Sequence, residues 1–147
     1  MSLTRSALIS QFLRDCQALR DAMVGLTSVQ LTDPTFSLKG SLRTRLSIVA
    51  AHYYRLGEMI AHYLGLQFDK PLDDSETWRT DAIAFRREWA LVDLQADLED
   101  AWEFYSEMLH ALNDESVEWY VHNVTGAMIR VAFEASREVS AWRLRSS

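Results

Sequence analysis

Apolar side chains recur three and four positions apart along four stretches of this chain, a spacing that suits an amphipathic α-helix and not a strand. The first stripe is Leu8, Phe12, Cys16, Leu19, Met23 and Leu26, which predicts a helix from Thr4 to Leu26, with Gly25 and Thr27–Ser28 marking its end. The second is Val49, His52, Leu56, Met59 and Tyr63, widened by Leu46, Tyr53 and Ile60. Ser41 suits the N-cap of that helix and Gly65 the left-handed residue beyond its end. At about 1.5 Å rise per residue such a helix is about 36 Å long. The third stripe is Leu94, Leu98, Ala101, Tyr105, Met108 and Leu112, with Asp93 as the expected cap. The fourth is Met128, Val131, Ala135, Glu138 and Trp142, within a helix predicted over Val124 to Leu144.

The intervening segments carry turn chemistry. Asp33–Pro34 and Gly40 mark a loop between the first two helices, and Lys70-Pro71-Leu72-Asp73-Asp74 lies in a second linker. A shorter helix from Ser75 to Trp89, capped by Asp74 or Ser75, fits between the second and third long helices. Asn113 to Ser116 is predicted as a turn and Trp119 to Asn123 as a ring-rich loop. Four narrow stripes require one shared interior, so the expectation is an all-α, single-domain four-helix bundle over residues 1–147. The long connections leave the order of the helices open.

Composition narrows the function classes. A 147-residue chain with 48% hydrophobic residues can build its own core, and two prolines and five glycines are too few for a many-stranded β protein. The formal charge of −6 lacks the cationic surplus that binds phosphate backbones, so nucleic acid is not expected as a partner. No run approaches the ~18 apolar residues of a membrane helix, and no membrane partner is expected. The first residues show no basic stretch followed by an apolar core, which leads to the expectation of a cytoplasmic protein. Cys16 stands alone on an inward stripe, so an intramolecular disulfide is excluded and an inert thiol is expected.

His52 is the first candidate for chemistry. It interrupts the apolar stripe of the second helix, where a desolvated imidazole needs a hydrogen-bond partner or a metal. A core histidine satisfied by a neighbouring carboxylate or hydroxyl is the competing account. Glu134 and Glu138 share a face of the last helix, and with His52 they could supply a three-ligand site for a divalent metal. Pairing with Arg130 and Arg137 on a solvated face is the plainer alternative. Tyr53 and Trp142 are placed as lining a pocket beside that site. His62 and His110 are read as surface residues and His122 as a loop residue before the last helix that could reach a bundle end, and no phosphate loop, nucleophile elbow or zinc-protease motif is present.

Several segments together resemble the DinB-like (DinB/YfiT) superfamily of helical bundles. Leu26-Thr27-Ser28-Val29-Gln30-Leu31 is similar to its "Leu-Thr-x-x-Gln-Leu" linker, and the run from Leu42 to His52 resembles its "Trp-Ser-x-x-Asp-x-Leu-x-His" segment. Thr125-Gly126-Ala127-Met128-Ile129 looks like its "Leu-Gly-x-x-Leu" start of the last helix, and with Trp119–Tyr120 it is similar to the ClbS/DfsB-like branch. The resemblance implies a metal-binding histidine at His52. Where the family commonly carries two further histidines this chain has Glu134 and Glu138, so the implied zinc or nickel site is altered and a metal-free protein is the alternative. The implied functions are a metal-dependent hydrolase or thiol-dependent transferase acting on a small electrophile, in stress or detoxification. The alternative is a non-catalytic bundle serving as a binding or dimerisation module. The many rings and the commonness of twofold dimers point to a homodimer, against which one core nearly accounts for the apolar stripes.

Overall fold

The computed structural model describes residues 4–66, 76–124 and 126–146, without the side chains of residues 126 and 127. Among the described residues all regular structure is helical: α1 (Arg5–Ala22), a 3-10 turn (Ser28–Thr32), α2 (Leu42–Tyr63), α3 (Trp78–Phe85), α4 (Leu91–Ala111), α5 (Asp114–Asn123), α6 (Gly126–Ile129) and α7 (Val131–Arg145). None of these helices is long and apolar enough to cross a membrane.

Side-chain caps set several boundaries. The hydroxyl of Thr4 accepts from the Ala7 N–H at 3.1 Å, and that of Ser41 from the Thr44 N–H at 3.3 Å. The expected start of α2 is therefore observed, and Gly65 at φ 68° leaves the helix in the left-handed region. Other boundaries differ from expectation. α1 stops at Ala22, a turn before Leu26, and Gly25 at φ 82° redirects the chain. Asp93 is not the cap of α4: Ala90 holds that position, and Asp93 lies in the first turn, where its charge suits the helix dipole. The expected caps Asp74 and Ser75, and the start of the short helix, lie outside the described residues. The ring-rich segment 119–123 is not a loop. Asn113 accepts from the Ser116 N–H at 2.9 Å and starts α5, whose Val117 and Tyr120 turn inward.

The long helices α1, α4, α2 and α7 form a closed ring of neighbours, with the most extensive packing between α2 and α4 and between α1 and α7. Named contacts give their directions. Arg5, at the start of α1, donates to the Leu112 carbonyl just beyond α4 at 2.9 Å, and Arg20 near its end reaches Glu99 early in α4 at 2.6 Å. These two helices are antiparallel. Tyr54 meets Asp97, and Gly57 lies against Phe104, so α2 and α4 run the same way. Their connection, which includes α3, must therefore return along the length of the protein. A buried Arg86–Asp97 ion pair at 2.7 Å ties the end of α3 to α4.

The interior is one continuous cluster. At its centre the ring of Phe12 lies 5.7 Å from Tyr53 and 4.9 Å from Tyr105, and Tyr105 shares a 2.8 Å hydroxyl–hydroxyl hydrogen bond with Tyr120. Each fully buried side chain of this size contributes about 1.5–3 kcal/mol relative to exposure. Cys16 is in this core, and burial raises its pKa, which keeps the thiol protonated.

Candidate functional site

The fourth predicted helix is not continuous, and the break defines the site. α6 ends at Ile129, Arg130 adopts φ −105° and ψ 27°, and α7 begins at Val131. In an unbroken helix the Met128 carbonyl would accept from the Ala132 N–H, since these residues are four apart. Here adjacent residues of α2 take both groups. His52 Nε2 lies 2.8 Å from the Met128 carbonyl oxygen, and the Ala132 N–H donates to the Tyr53 hydroxyl at 3.1 Å. The residue at the break is held as well. Asp15 of α1, whose side chain is only 3% exposed, receives two hydrogen bonds from the Arg130 guanidinium at 2.9 and 3.2 Å. Every polar group exposed by the break thus named has a partner, as burial demands.

The contact fixes the chemistry of His52. A carbonyl oxygen only accepts, so Nε2 carries the proton and Nδ1 is left as the acceptor. Nδ1 has no hydrogen-bond partner among the described residues. Burial pulls the pKa of His52 below its usual value, and the guanidiniums of Arg55, Arg79 and Arg45 act in the same direction. The Met128 carbonyl opposes them. The Trp78 ring stands 5.9 Å from the imidazole, with Arg55 and Arg79 each about a ring's breadth from the indole, at 4.7 and 5.1 Å. His52 is a neutral imidazole in a cationic setting.

Beside His52 opens a cleft of about 820 Å³. The loop from Phe36 to Ser41, the first turns of α2, and α7 form its walls. Phe36, Ile48, Met128, Val131 and Ala141 supply apolar lining, while Lys39, Arg45, Arg79 and Arg145 supply cations. The loop wall is fixed from behind: Trp142 donates to the Thr35 hydroxyl at 3.2 Å and meets the Phe36 ring edge-on at 5.4 Å. Asp33 accepts from the Thr35 N–H at 2.8 Å and completes that support.

The expected site residues are only partly brought together. His52 and Glu138 both line the cleft, but Glu134 is exposed and does not. Glu138 pairs with Arg45 at 2.9 Å, not with Arg137, and Arg130 pairs with Asp15. Among the described residues no group of three His, Cys, Asp or Glu side chains is placed to hold a metal ion. The donor set does not fit zinc or nickel as it stands: His52 could offer only Nδ1, Glu138 is committed to the Arg45 guanidinium, and Glu134 does not line the cleft. Tyr53 does not line the cleft: it is wholly buried, with its hydroxyl at the start of α7. Trp142 lies behind the wall, 1% exposed. His62 and His110 are exposed, as expected, and His122 is exposed on α5 and not in a loop.

Sequence reasoning missed Asp15, Arg45, Lys39 and Arg79. A signal existed for Arg45, since Arg45, Ile48 and His52 fall three and four apart and so share one face of α2. Lys39 and Arg79 reach the cleft only through tertiary placement of a loop and of α3.

No family model matches the chain, and no curated protein matches it. In three dimensions it is similar to an uncharacterised protein from Escherichia coli UTI89, with a TM-score of 0.74 and 12% sequence identity, over 99% of this chain and 96% of that one. At this identity the likeness bears on the fold alone. An all-helical fold of this arrangement is thus shared across nearly the full length of both chains.

Proposed function

We propose that this chain is a DinB-like four-helix bundle that binds a small organic molecule in the cleft beside His52, without a metal. The observation that carries this reading is the cleft itself, whose volume of about 820 Å³ falls within the roughly 300–1,000 Å³ of small-molecule sites. Its mixed lining also follows the usual pattern of apolar walls with a few placed polar groups. The Arg45–Glu138 ion pair supports the metal-free form, since Glu138 would have to give up that partner to bind a metal. In an open, exposed position Glu134 adds no third donor.

The test is a thermal-shift screen of a chemically diverse small-molecule library against the wild type and Ile48→Trp, which fills the cleft. Compounds that stabilise the wild type and not the variant support the reading. A library without hits, or hits that stabilise both proteins equally, overturns it. Zinc and nickel are included as separate arms. Binding at a hundredfold excess over Kd would add about 2.7 kcal/mol of stability, and a metal-dependent gain of that size would refute the metal-free form.

A second reading, catalysis on the bound molecule, draws on the Nδ1 atom of His52. An imidazole held through one nitrogen by a carbonyl, with the other nitrogen basic and neutral, is oriented as a general base for hydrolysis or group transfer. Loss of turnover in His52→Gln with ligand binding retained would support this reading. Turnover unchanged in that variant would refute it.

A further inference from the structure

We propose that the cleft selects a small amphipathic anion: a carboxylate or phosphate monoester head at the cationic rim, and an alkyl or aryl body along the apolar wall. This deepens the small-molecule reading above and rests on it. The protein as a whole carries a formal charge of −6, yet the cleft is lined by four cationic side chains and a single carboxylate. Only one of the four is neutralised there, through the Arg45–Glu138 pair. Lys39, Arg79 and Arg145 have no carboxylate partner within ion-pair distance among the described residues. Arg145 donates to the Phe36 carbonyl at 3.3 Å, which orients the guanidinium but leaves its charge in place.

Three uncompensated cations around one concavity repel each other, and low-dielectric walls focus their field into the space between them. Among the described residues Glu138 is the sole carboxylate lining the cleft, which leaves positive charge there for a ligand to meet. The α2 helix adds to the same field, because its N-cap Ser41 and first-turn Thr44 line the cleft at the helix's positive end. His52 enters as a neutral group and does not compete for the anion's counter-charge. The apolar partners Ile48, Met128, Val131 and Ala141 lie on α2 and on α6–α7, and Phe36 lies on the loop that carries Lys39. The cleft therefore offers both charge and apolar surface to one ligand. A purely ionic ligand would leave that wall wet, and a purely apolar one would leave the cations unpaired.

The experiment uses four eight-carbon probes below their micelle thresholds: octanoate, octyl phosphate, octanol and octyltrimethylammonium. Their affinities for the full chain are measured by calorimetry at low and high salt, and again with the Lys39→Gln/Arg79→Gln double variant. Both replaced side chains are exposed, so folding is not at stake. At least one anion is expected to bind roughly tenfold or more tightly than octanol, with that advantage shrinking in salt and vanishing in the double variant. The ratio of octanoate to octyl phosphate then tells which head group the rim prefers. Octanol binding as tightly as the anions overturns the charge selection while leaving the small-molecule cleft intact. Binding of the cation in preference, or of none of the four probes, overturns the inference as well, and the library screen decides the underlying reading independently.

Discussion

The paired hydrogen bonds at the helix break can be tested by a double-mutant cycle on His52→Leu and Tyr53→Phe. Each single change removes one hydrogen bond at the break: that to the Met128 carbonyl in the first case, that from the Ala132 N–H in the second. A buried polar group stripped of its partner costs about 1–3 kcal/mol. For a chain of this size each kcal/mol lowers the Tm by about 2–4 °C. The double variant should behave differently, because the two orphaned groups are those that an unbroken helix would join. Once neither has a partner on α2, α6 and α7 can close the missing bond between them. The double variant is therefore expected to lose less than the two singles together, by about 0.5–3 kcal/mol. Urea denaturation followed by circular dichroism gives the energies. Hydrogen exchange at the Ala132 amide gives the mechanism: slower exchange in the double variant than in Tyr53→Phe alone. Additive energies with unprotected Ala132 would refute the proposed coupling of α2 to the break. The exchange measurement matters because the two rings also contact each other, at 6.3 Å, and a lost ring contact alone would not protect Ala132.

Three further outcomes follow from named contacts. Asp97→Ala leaves the buried Arg86 guanidinium without its counter-charge and should cost about 3–5 kcal/mol, whereas Arg86→Met/Asp97→Leu should recover most of that loss in chemical denaturation. Gly57→Ala would bring a methyl group within 2.5 Å of the Phe104 ring, so a loss of about 1–3 kcal/mol from overpacking is expected, and restoration by Phe104→Leu would locate the clash. The lowered pKa of His52 means that the unfolded chain binds a proton before the folded one does. Its contribution to stability is therefore present above about pH 6.5 and is lost as pH falls from there, with a slope of at most about 1.4 kcal/mol per pH unit. His52→Leu should flatten the stability profile below about pH 6.5, and an unchanged slope would show that folding does not lower the pKa of His52.

Much of the architecture was legible in spacing and caps. The stripes through Leu8–Leu19, Leu46–Ile60 and Leu94–Leu112 are buried as expected, save the half-buried Met59 and Met108, because a helix turns every third or fourth side chain to the same side whatever surrounds it. Ser41 and Gly65 announced their roles for an equally local reason: a cap acts on backbone atoms within one turn. The missed α5 was also locally encoded, since Asn113 caps it and Asp114 and Glu115 follow in its first turn. The rings of segment 119–123 obscured it.

The site was not legible in the same way. From the sequence, His52 could only be said to need a partner, and the Glu134–Glu138 pair offered the nearest chemistry. The partner is a backbone carbonyl seventy-six positions away, freed because Tyr53 takes the amide that carbonyl would otherwise accept from. A backbone oxygen leaves no trace in residue identity, so no reading of side chains could have named it. The cationic cleft has the same origin. Lys39, Arg45, Arg79 and Arg145 are scattered through a loop and three helices of an acidic chain, and only the packing of those helices concentrates their charge in one place. Local periodicity determined which faces are buried, and tertiary packing alone decided which polar groups meet.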